Sequence, residues 1–419
     1  MSAKTIYVYE CWTAESPSLM GCLYADMLQG KEACSFEYDA VWLQTHASQC
    51  FLDPALQLFQ GRQHAPIDQA IFGPFFDSSP DLWGRLLMQR MEAILANREN
   101  RKPRQLLETD YLLGVHDEAR MGALRFALKQ EGSFVSYDSD MPAPPWVTLP
   151  ELEVASLAFE QDEDTLNDCW LKQLLAPGSS LGGARPKATV KDANGDLWIA
   201  KFHSHHDERD VGAWEQVAHE LAKACGLQVA PSRLERFSNK GSTYLVKRFD
   251  RVHTRRIHFS SAMTLLGQTD GVGAQTGISY LDLVEFITAY GASPKEDLVE
   301  LWNRMLFSMA ISNTDDHLRK HGFLLTKHGW RLSPLYDVNP VPYGENLALN
   351  VSLDDSRIDP ELAIEVAPFF GMSKQEARSA AQQMFATVKR LWRPLSEECG
   401  LGRAAQKEMA PAFAVSEGS

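Results

Sequence analysis

The chain has 419 residues, 44% hydrophobic and 23% charged, which predicts a globular protein with two or three structural units. Its formal net charge of −14 excludes a protein that coats nucleic acid by itself, and it suits a basic partner. Seven scattered cysteines without a Cys-x-x-Cys pair favour reduced thiols over disulfides or zinc. The N-terminus lacks an apolar leader and no apolar run could span a bilayer, so we expect a cytoplasmic protein without a membrane segment.

The first part of the chain, 1–137, has a mixed pattern. Strands are predicted at 6–9 and 35–43, and an amphipathic helix at 81–97 with Leu82, Leu86, Leu87 and Met91 on one side. The proline-rich segment 138–150 interrupts helices and strands, because proline fixes φ and removes a backbone donor. We therefore predict a linker there.

After the linker the pattern changes. We predict a strand at 196–202, a helix at 207–225 that Gly226 ends, and a hairpin of 234–237 with 242–249. The remainder is mostly helical, with predicted helices at 280–290, 295–312, 359–369 and 374–392. The last residues, 411–419, are predicted to be a flexible tail.

A glycine-rich segment precedes the predicted strand: Gly178-Ser179-Ser180-Leu181-Gly182-Gly183-Ala184-Arg185-Pro186-Lys187. Glycines let backbone amides approach phosphate oxygens closely, and Arg185 or Lys187 can add positive charge. The segment is not a Walker A loop, because Ala184 follows Gly183. By itself a glycine-rich loop is weak evidence for nucleotide binding.

Lys201 ends the predicted strand, where a kinase lysine reaches the α- and β-phosphates; an ordinary surface lysine is the equal alternative. A helix carboxylate usually holds such a lysine. Glu215 borders the apolar stripe of the next helix and is preferred for this role over Glu220.

Two acidic segments follow at a separation of 22 residues. Asp315 lies in Asn-Thr-Asp-Asp-His, and Asp337 lies in Leu-Tyr-Asp-Val. Phosphoryl transfer uses such a layout, in which one carboxylate orients the attacking hydroxyl and another holds magnesium. Two ordinary aspartate-rich turns are the alternative.

Together these motifs resemble the HipA family of bacterial serine/threonine kinases. The string Ser-Leu-Gly-Gly-Ala-Arg-Pro-Lys is similar to the family's phosphate loop, and the resemblance runs from near residue 20 to near residue 395. It implies an α+β, protein-kinase-like, two-lobed fold with an additional small N-terminal domain. In that scheme 1–137 is the N-terminal domain, 151–252 is the part like a kinase N-lobe, and 253–410 is the helical catalytic lobe.

The resemblance also implies site residues and the cofactors ATP and Mg²⁺. Asp315 would orient the substrate hydroxyl, Asp337 would ligate magnesium, and Ser180, or alternatively Ser179, would be autophosphorylated. The implied ATP-binding residues are Gly182, Gly183, Ala184, Arg185, Pro186, Lys187, Lys201, Lys247, Arg248, Phe249 and His317. Of these, 247–249 would meet the adenine, and His317 would brace the catalytic loop rather than transfer protons.

The implied role is that of the toxin in a toxin–antitoxin pair, which inhibits growth by phosphorylating a protein. The partner would be a helix-turn-helix antitoxin similar to HipB, and DNA would be reached only through that antitoxin. Some relatives act on aminoacyl-tRNA synthetases, which makes such an enzyme a substrate by analogy.

One position departs from the family pattern. Lys320 stands five residues after Asp315, where the family has an asparagine that ligates magnesium. A charged ammonium has no lone pair to give a metal. The alternative function is therefore a weak or inactive kinase-fold protein that binds the antitoxin and helps to repress their operon.

Overall fold

A computed structural model of the chain describes residues 4–13, 16–46, 51–135, 145–161, 174 and 183–418. The chain forms two compact units, which are treated separately below. Unit 1 comprises Met1–His205, Asp250–Thr269 and Leu324–Gly329, and unit 2 comprises His206–Phe249, Asp270–Phe323 and Trp330–Ser419.

The described helices are α1 Ala40–His46, α2 Gly73–Asp77, α3 Leu82–Arg98, α4 Glu108–Gly114, α5 Leu149–Glu160, α6 Val211–Ala224, α7 Ala262–Leu265, α8 Tyr280–Tyr290, α9 Pro294–Ala310, α10 Pro360–Val366, α11 Lys374–Glu398, α12 Arg403–Met409 and α13 Ala414–Glu417. Short 3-10 turns lie at Trp146–Thr148, Ala274–Thr276, Leu318–Lys320, Ala367–Phe370 and Ala410–Phe413.

The described strands are β1 Lys4–Glu10, β2 Ser18–Leu28, β3 Lys31–Tyr38, β4 Arg62–His64, β5 Leu124–Ala127, β6 Lys187–Lys191, β7 Leu197–Lys201, β8 Ser232–Glu235, β9 Thr243–Lys247, β10 Arg251–Val252, β11 Arg255–Arg256, β12 Phe259–Ser261, β13 Gly322–Thr326 and β14 Gly329–Leu332. No described helix combines the length and the apolar character needed to cross a bilayer.

Unit 1 begins with an antiparallel sheet of five strands in the order β4-β3-β2-β1-β5. Alternate residues of β1 are buried, including Ile6 and Val8, because successive side chains of a strand point to opposite faces. The ring of Phe36 in β3 packs 5.3 Å from the ring of Phe75 in α2. One face of the sheet therefore forms the core of this unit.

The start of α3 is fixed by an aspartate with two partners. Asp81 accepts a hydrogen bond from Gly84 N at 2.9 Å, which caps the helix. Its other oxygen lies 2.6 Å from Lys187 Nζ, and each side chain of this ion pair is 2% exposed. Trp83 Nε1 also donates to Lys187 O at 3.0 Å. Strand β6 pairs with β7 in an antiparallel hairpin. Lys187, the first residue of β6, therefore joins this hairpin to the start of α3.

Unit 2 contains α6, the antiparallel β8–β9 hairpin and the long helices that follow. Asp210 caps α6 by accepting from Ala213 N at 3.1 Å, and Gly226 ends it with a φ of 83°. Helix α6 packs against α11, and α9 packs against α8, α10 and α11. Its core includes Trp302, Met305 and Trp392, each fully buried.

The predicted flexible tail is wrong, because the end of the chain is packed against the core of unit 2. Phe413 is fully buried and stacks on Trp392, with ring centroids 4.4 Å apart. Ser416 Oγ donates to Ala310 O at 2.8 Å. A terminus frays only where it has nothing to bury, and this one buries a phenylalanine.

Two details of the N-terminal part also differ from prediction. The strand expected at 35–43 stops at Tyr38, because the Asp39 side chain accepts from Val41 N and Trp42 N and starts α1. In α3, the predicted apolar face is only partly buried: Leu82 is 50% exposed and Leu87 is buried. Trp83 is buried in its place.

The two compact units do not divide at the predicted linker 138–150. The chain just after it remains in unit 1, where Pro145 forms a β-bridge with Lys191 and the ring of Trp146 packs 5.4 Å from that of Trp198. Helix α5 already begins at Leu149. Residues 136–144 lie outside the described part.

Candidate active site

The loop that carries Asp315 follows directly from the end of α9. The backbone turns at Ser312, whose φ of 52° lies in the left-handed region, and Asn313 N donates to Ser308 O at 2.7 Å. Gly344 lies so close that a Cβ there would meet Ser312 Oγ at 2.5 Å. A rigid helix end and a close backbone contact therefore position this loop.

Asp315 and Asp337 are brought together by a lysine. Lys320 Nζ lies 2.7 Å from Asp315 Oδ2 and 3.3 Å from Asp337 Oδ2. The lysine side chain is 7% exposed, Asp337 is 19% exposed and Asp315 is 68% exposed. The carboxylates predicted to orient the hydroxyl and to bind the metal thus share one ammonium group.

The Lys320 ammonium is charged in this setting. Burial disfavours the charged form, but the carboxylates of Asp337 and Asp315 outweigh burial and raise the pKa of Lys320 above its usual value. Its amide also donates to His317 O at 2.8 Å, within the short 3-10 turn of this loop.

Asp316, next to Asp315 in sequence, faces the interior of unit 2. Its carboxylate accepts from Tyr280 Oη and, at 3.2 Å, from Ser308 Oγ. His321 Nε2 lies 3.2 Å from its other oxygen. Burial would raise the pKa of Asp316, but His321, Tyr280 and Lys320 outweigh it and lower that pKa to about 2. This support is not visible in the sequence, because Asp316 stands among polar residues and its partner Tyr280 is 36 residues away.

Asp337 lies at the start of a second loop, after the β13–β14 hairpin. Its φ of 57° is unusual for a residue other than glycine, and such strain concentrates at functional sites. Leu335 N donates to Gln228 O at 2.7 Å just before it. Tyr336 Oη donates to Arg319 O at 2.7 Å, so the second loop is tied directly to the loop of Asp315.

A small cavity of about 10 Å³ adjoins Asp337 and is also lined by Glu215, His219 and Tyr244. This volume is close to that of one buried water. Tyr244 Oη and His219 Nδ1 are 2.9 Å apart, and burial, with Glu215 and Asp337 nearby, raises the pKa of Tyr244. The predicted supporting Glu215 is buried and faces this cavity, whereas Glu220 is 33% exposed.

His317 lies beside Asp315 in the same loop. Its side chain is 32% exposed, and its Nε2 lies 3.9 Å from Asp315 Oδ1, too far for a hydrogen bond. Burial and the nearby Lys320 lower its pKa below the usual value. The bracing role of His317 stays a prediction.

The phosphate-binding residues predicted upstream belong largely to unit 1. Among the described residues, no atom lies within 4 Å of the position that a Cβ on Gly183 would take. Lys187 Nζ, however, is held by Asp81 and, at 2.7 Å, by Gly183 O. Lys201 is buried. Its pairing with Glu215 would join two units and stays a prediction.

Other predicted residues are placed as follows. Ala184 and Arg185 lie in the bend between Gly183 and β6, with Pro186 before the strand. Lys247, Arg248 and Phe249 lie at the end of β9 in unit 2, where Arg248 is buried and the ring of Phe249 is 5.7 Å from that of Tyr336. Gly182, Ser179 and Ser180 fall outside the described residues.

The residues near Asp337 do not make the two-ligand magnesium site that the resemblance implies. Mg²⁺ prefers oxygen ligands, and Asp337 supplies a carboxylate of that kind. Position 320 supplies an ammonium, which has no lone pair, and this ammonium already neutralises Asp337 at 3.3 Å. Asp337 stays the predicted metal ligand, and position 320 offers it no partner.

The two acidic loops, with Asp315 and Asp337, lie in the part of the chain that can be matched to a known family. The chain matches the sequence profile of the HipA-like C-terminal domain over residues 179–392, just over half of its length. It therefore belongs to the HipA family.

Two relatives and one solved structure extend this comparison. The "Putative kinase Y4mE" of Sinorhizobium fredii is 26% identical over 191 residues, 43% of this chain and 39% of that protein. A "Putative kinase" of Haemophilus influenzae is 26% identical over 190 residues, 40% of this chain and 54% of that protein. The chain thus spans about two fifths of the length of the Sinorhizobium protein and about half of the length of the Haemophilus protein.

The solved structure is the complex of HipA, HipB and operator DNA from the toxin–antitoxin system of Shewanella oneidensis MR-1. One of its chains is 16% identical with a TM-score of 0.66, and the match covers 98% of this chain and 96% of that one. At this identity the likeness shows the fold. The predicted fold class, α+β with antiparallel sheets and of the HipA kind, is confirmed.

Proposed function

We propose that this protein is an ATP-dependent serine/threonine protein kinase in which Asp315 orients the attacking hydroxyl. The observation that carries the proposal is the environment of Asp315. Its carboxylate is 68% exposed at the end of a rigid helix, where a protein substrate can reach it. The buried Asp316 beside it anchors the loop and does not compete for substrate.

The chemical step needs few groups from the protein. The substrate hydroxyl oxygen attacks the γ-phosphorus of ATP, the bond to the β–γ bridging oxygen breaks, and ADP leaves. Asp315 accepts the hydroxyl proton, so the Oδ1 that Lys320 does not hold is the atom free to face the substrate. Lys320 fixes the rotamer of Asp315 through the other oxygen.

The chain offers Mg²⁺ one predicted ligand. Mg²⁺ would supply charge neutralisation on the phosphates, and Asp337 would hold it. Position 320 offers no second ligand, because a charged ammonium has no lone pair to give.

The proposed biological role is that of a toxin in a toxin–antitoxin module acting in the cytoplasm. Membership of the HipA family supports it, as does the likeness of fold to a HipA that was solved with HipB and operator DNA. The partner would be a helix-turn-helix antitoxin, with DNA reached only through that partner. Growth would be inhibited by phosphorylation of a protein, for which an aminoacyl-tRNA synthetase is a candidate by analogy.

Lys320 favours a second candidate function, a weak or silent kinase that acts by binding the antitoxin and repressing the operon. The ammonium holds both carboxylates of the site. Such a protein would still bind its partner and would transfer little phosphate.

A transfer assay separates the two functions. Purified protein is incubated with radiolabelled ATP and Mg²⁺, and we expect the parent to become labelled. In Asp315→Asn the labelling should fall at least about a hundredfold, as expected when a catalytic base is removed. Asp354→Asn, an exposed aspartate of the same unit, is the matched control and should retain the label. Mass spectrometry of the product should place phosphate on Ser180 or Ser179. Equal labelling of the parent and Asp315→Asn would refute the assignment, and no labelling of the parent would favour the silent protein.

A further inference from the structure

Asp315, Lys320 and Asp337 form a triad in which the Lys320 ammonium, a cation supplied by the chain itself, contacts two carboxylates. One nitrogen, Lys320 Nζ, lies within 3.3 Å of a carboxylate oxygen on each side. The lysine side chain is almost wholly buried, at 7% exposed, so its charge is directed at these two groups rather than at solvent. The ammonium therefore joins the two carboxylates by ion pairs and supplies positive charge to both.

The triad is also well supported. The 3-10 turn at Leu318–Lys320 fixes the lysine backbone, and Tyr336 Oη holds Arg319 O from the loop of Asp337. The turn and the second loop are tied together one residue away, which keeps the lysine backbone close to both carboxylates. A metal entering here would have to displace it against like-charge repulsion.

We propose that the Lys320 ammonium is the resident cation of this site and takes the place of a divalent ion beside Asp337, so that nucleotide binds with little dependence on Mg²⁺. The nucleotide part of this inference rests on the proposed kinase function. The part that concerns metal binding to the triad does not, and it has its own test.

The first test measures metal binding without nucleotide. Mn²⁺ stands in for Mg²⁺, because bound Mn²⁺ can be counted by electron paramagnetic resonance and prefers the same oxygen ligands. In the parent we expect Asp337→Asn to leave Mn²⁺ binding unchanged, since the triad binds none. A loss of one Mn²⁺ site in Asp337→Asn would overturn the proposal. The comparison of the parent with Asp337→Asn also cancels the nonspecific Mn²⁺ binding expected of a protein of net charge −14.

Variants at position 320 give the converse result. Lys320→Asn restores an oxygen ligand and should create an Mn²⁺ site at least about tenfold tighter than any in the parent, one that Asp337→Asn then removes. Lys320→Met removes the charge without adding a ligand and should gain less. If Lys320→Asn binds Mn²⁺ no better than the parent while both are folded, the ammonium is not what excludes the metal.

The second test concerns nucleotide. The affinity of the parent for ATP in EDTA and in excess Mg²⁺ should differ by less than about threefold, whereas Lys320→Asn should gain at least about tenfold from Mg²⁺. A parent that binds ATP only with Mg²⁺ would overturn the proposal. If the folded parent binds no ATP under either condition, the kinase proposal fails, and the Mn²⁺ comparison still decides whether Lys320 occupies the cation position.

Discussion

At the scale of single residues, two neighbouring aspartates have opposite environments. Asp315 is 68% exposed and available to a substrate, whereas Asp316 is buried among Tyr280, Ser308 and His321. The motif predicts that one carboxylate is catalytic. Only packing from α8 and α9 shows that the other is structural, because Tyr280 is 36 residues away in sequence.

The buried aspartate should contribute stability that depends on pH. Its pKa in the folded protein, about 2, is below the usual value for aspartate, so its contribution is complete above about pH 4 and is lost as pH falls through about 2. We expect Asp316→Asn to lower the free energy of unfolding by about 2 kcal/mol at pH 7, an order-of-magnitude figure from the size of that shift. Urea unfolding at a series of pH values measures the difference.

The exposed Asp354→Asn is again the control and should change stability by less than about 0.5 kcal/mol. The difference between the parent and Asp316→Asn should hold from pH 7 to about 4 and shrink below that. An Asp316→Asn protein as stable as the parent at pH 7 would show that the buried charge is not a net support of the loop.

At the scale of elements, the strongest patterns gave correct helices and strands. The helix predicted at 280–290 is Tyr280–Tyr290, and the predicted 207–225 helix is Val211–Ala224, ended by Gly226 as expected. These segments carry their own caps and periodic apolar residues, so local information suffices. The packed terminus was not predictable in this way, because Phe413 finds its partner, Trp392, on another helix.

The terminal segment should therefore matter to unit 2. Phe413 is fully buried against Trp392 and near Trp214, and we expect Phe413→Ala to destabilise the protein by about 3–5 kcal/mol. Phe369→Ala is the matched control, since Phe369 is 62% exposed, and it should change stability by less than about 1 kcal/mol. The urea midpoint, followed by tryptophan fluorescence, reports both. Equal shifts for the two variants would mean that the terminus is not part of the core.

At the scale of the whole molecule, the sequence indicates candidate site residues but not the boundaries of the two compact units. The glycine loop, Lys201, Asp315 and Asp337 are recognisable because each is a short local motif. The sequence does not show which segments make up unit 1, because two of them, Asp250–Thr269 and Leu324–Gly329, come from far along the chain. The same limit applies to Lys187, whose buried partner Asp81 is 106 residues away. Distant pairs of this kind leave no local pattern.

The net charge of −14 bears on the choice of partner. It argues against a chain that coats nucleic acid by itself and suits an encounter with a basic partner, which is the role proposed for the antitoxin.

The central claim is that this HipA-family chain is a nucleotide-binding kinase, and calorimetric titration with ATP tests it most directly. We expect saturable binding at one site, weakened at least about tenfold by Lys201→Met in protein that circular dichroism shows to be folded. Binding should also appear as a rise in the thermal midpoint when ATP is present. Folded parent protein that shows neither heat of binding nor a thermal shift at millimolar ATP would contradict the account.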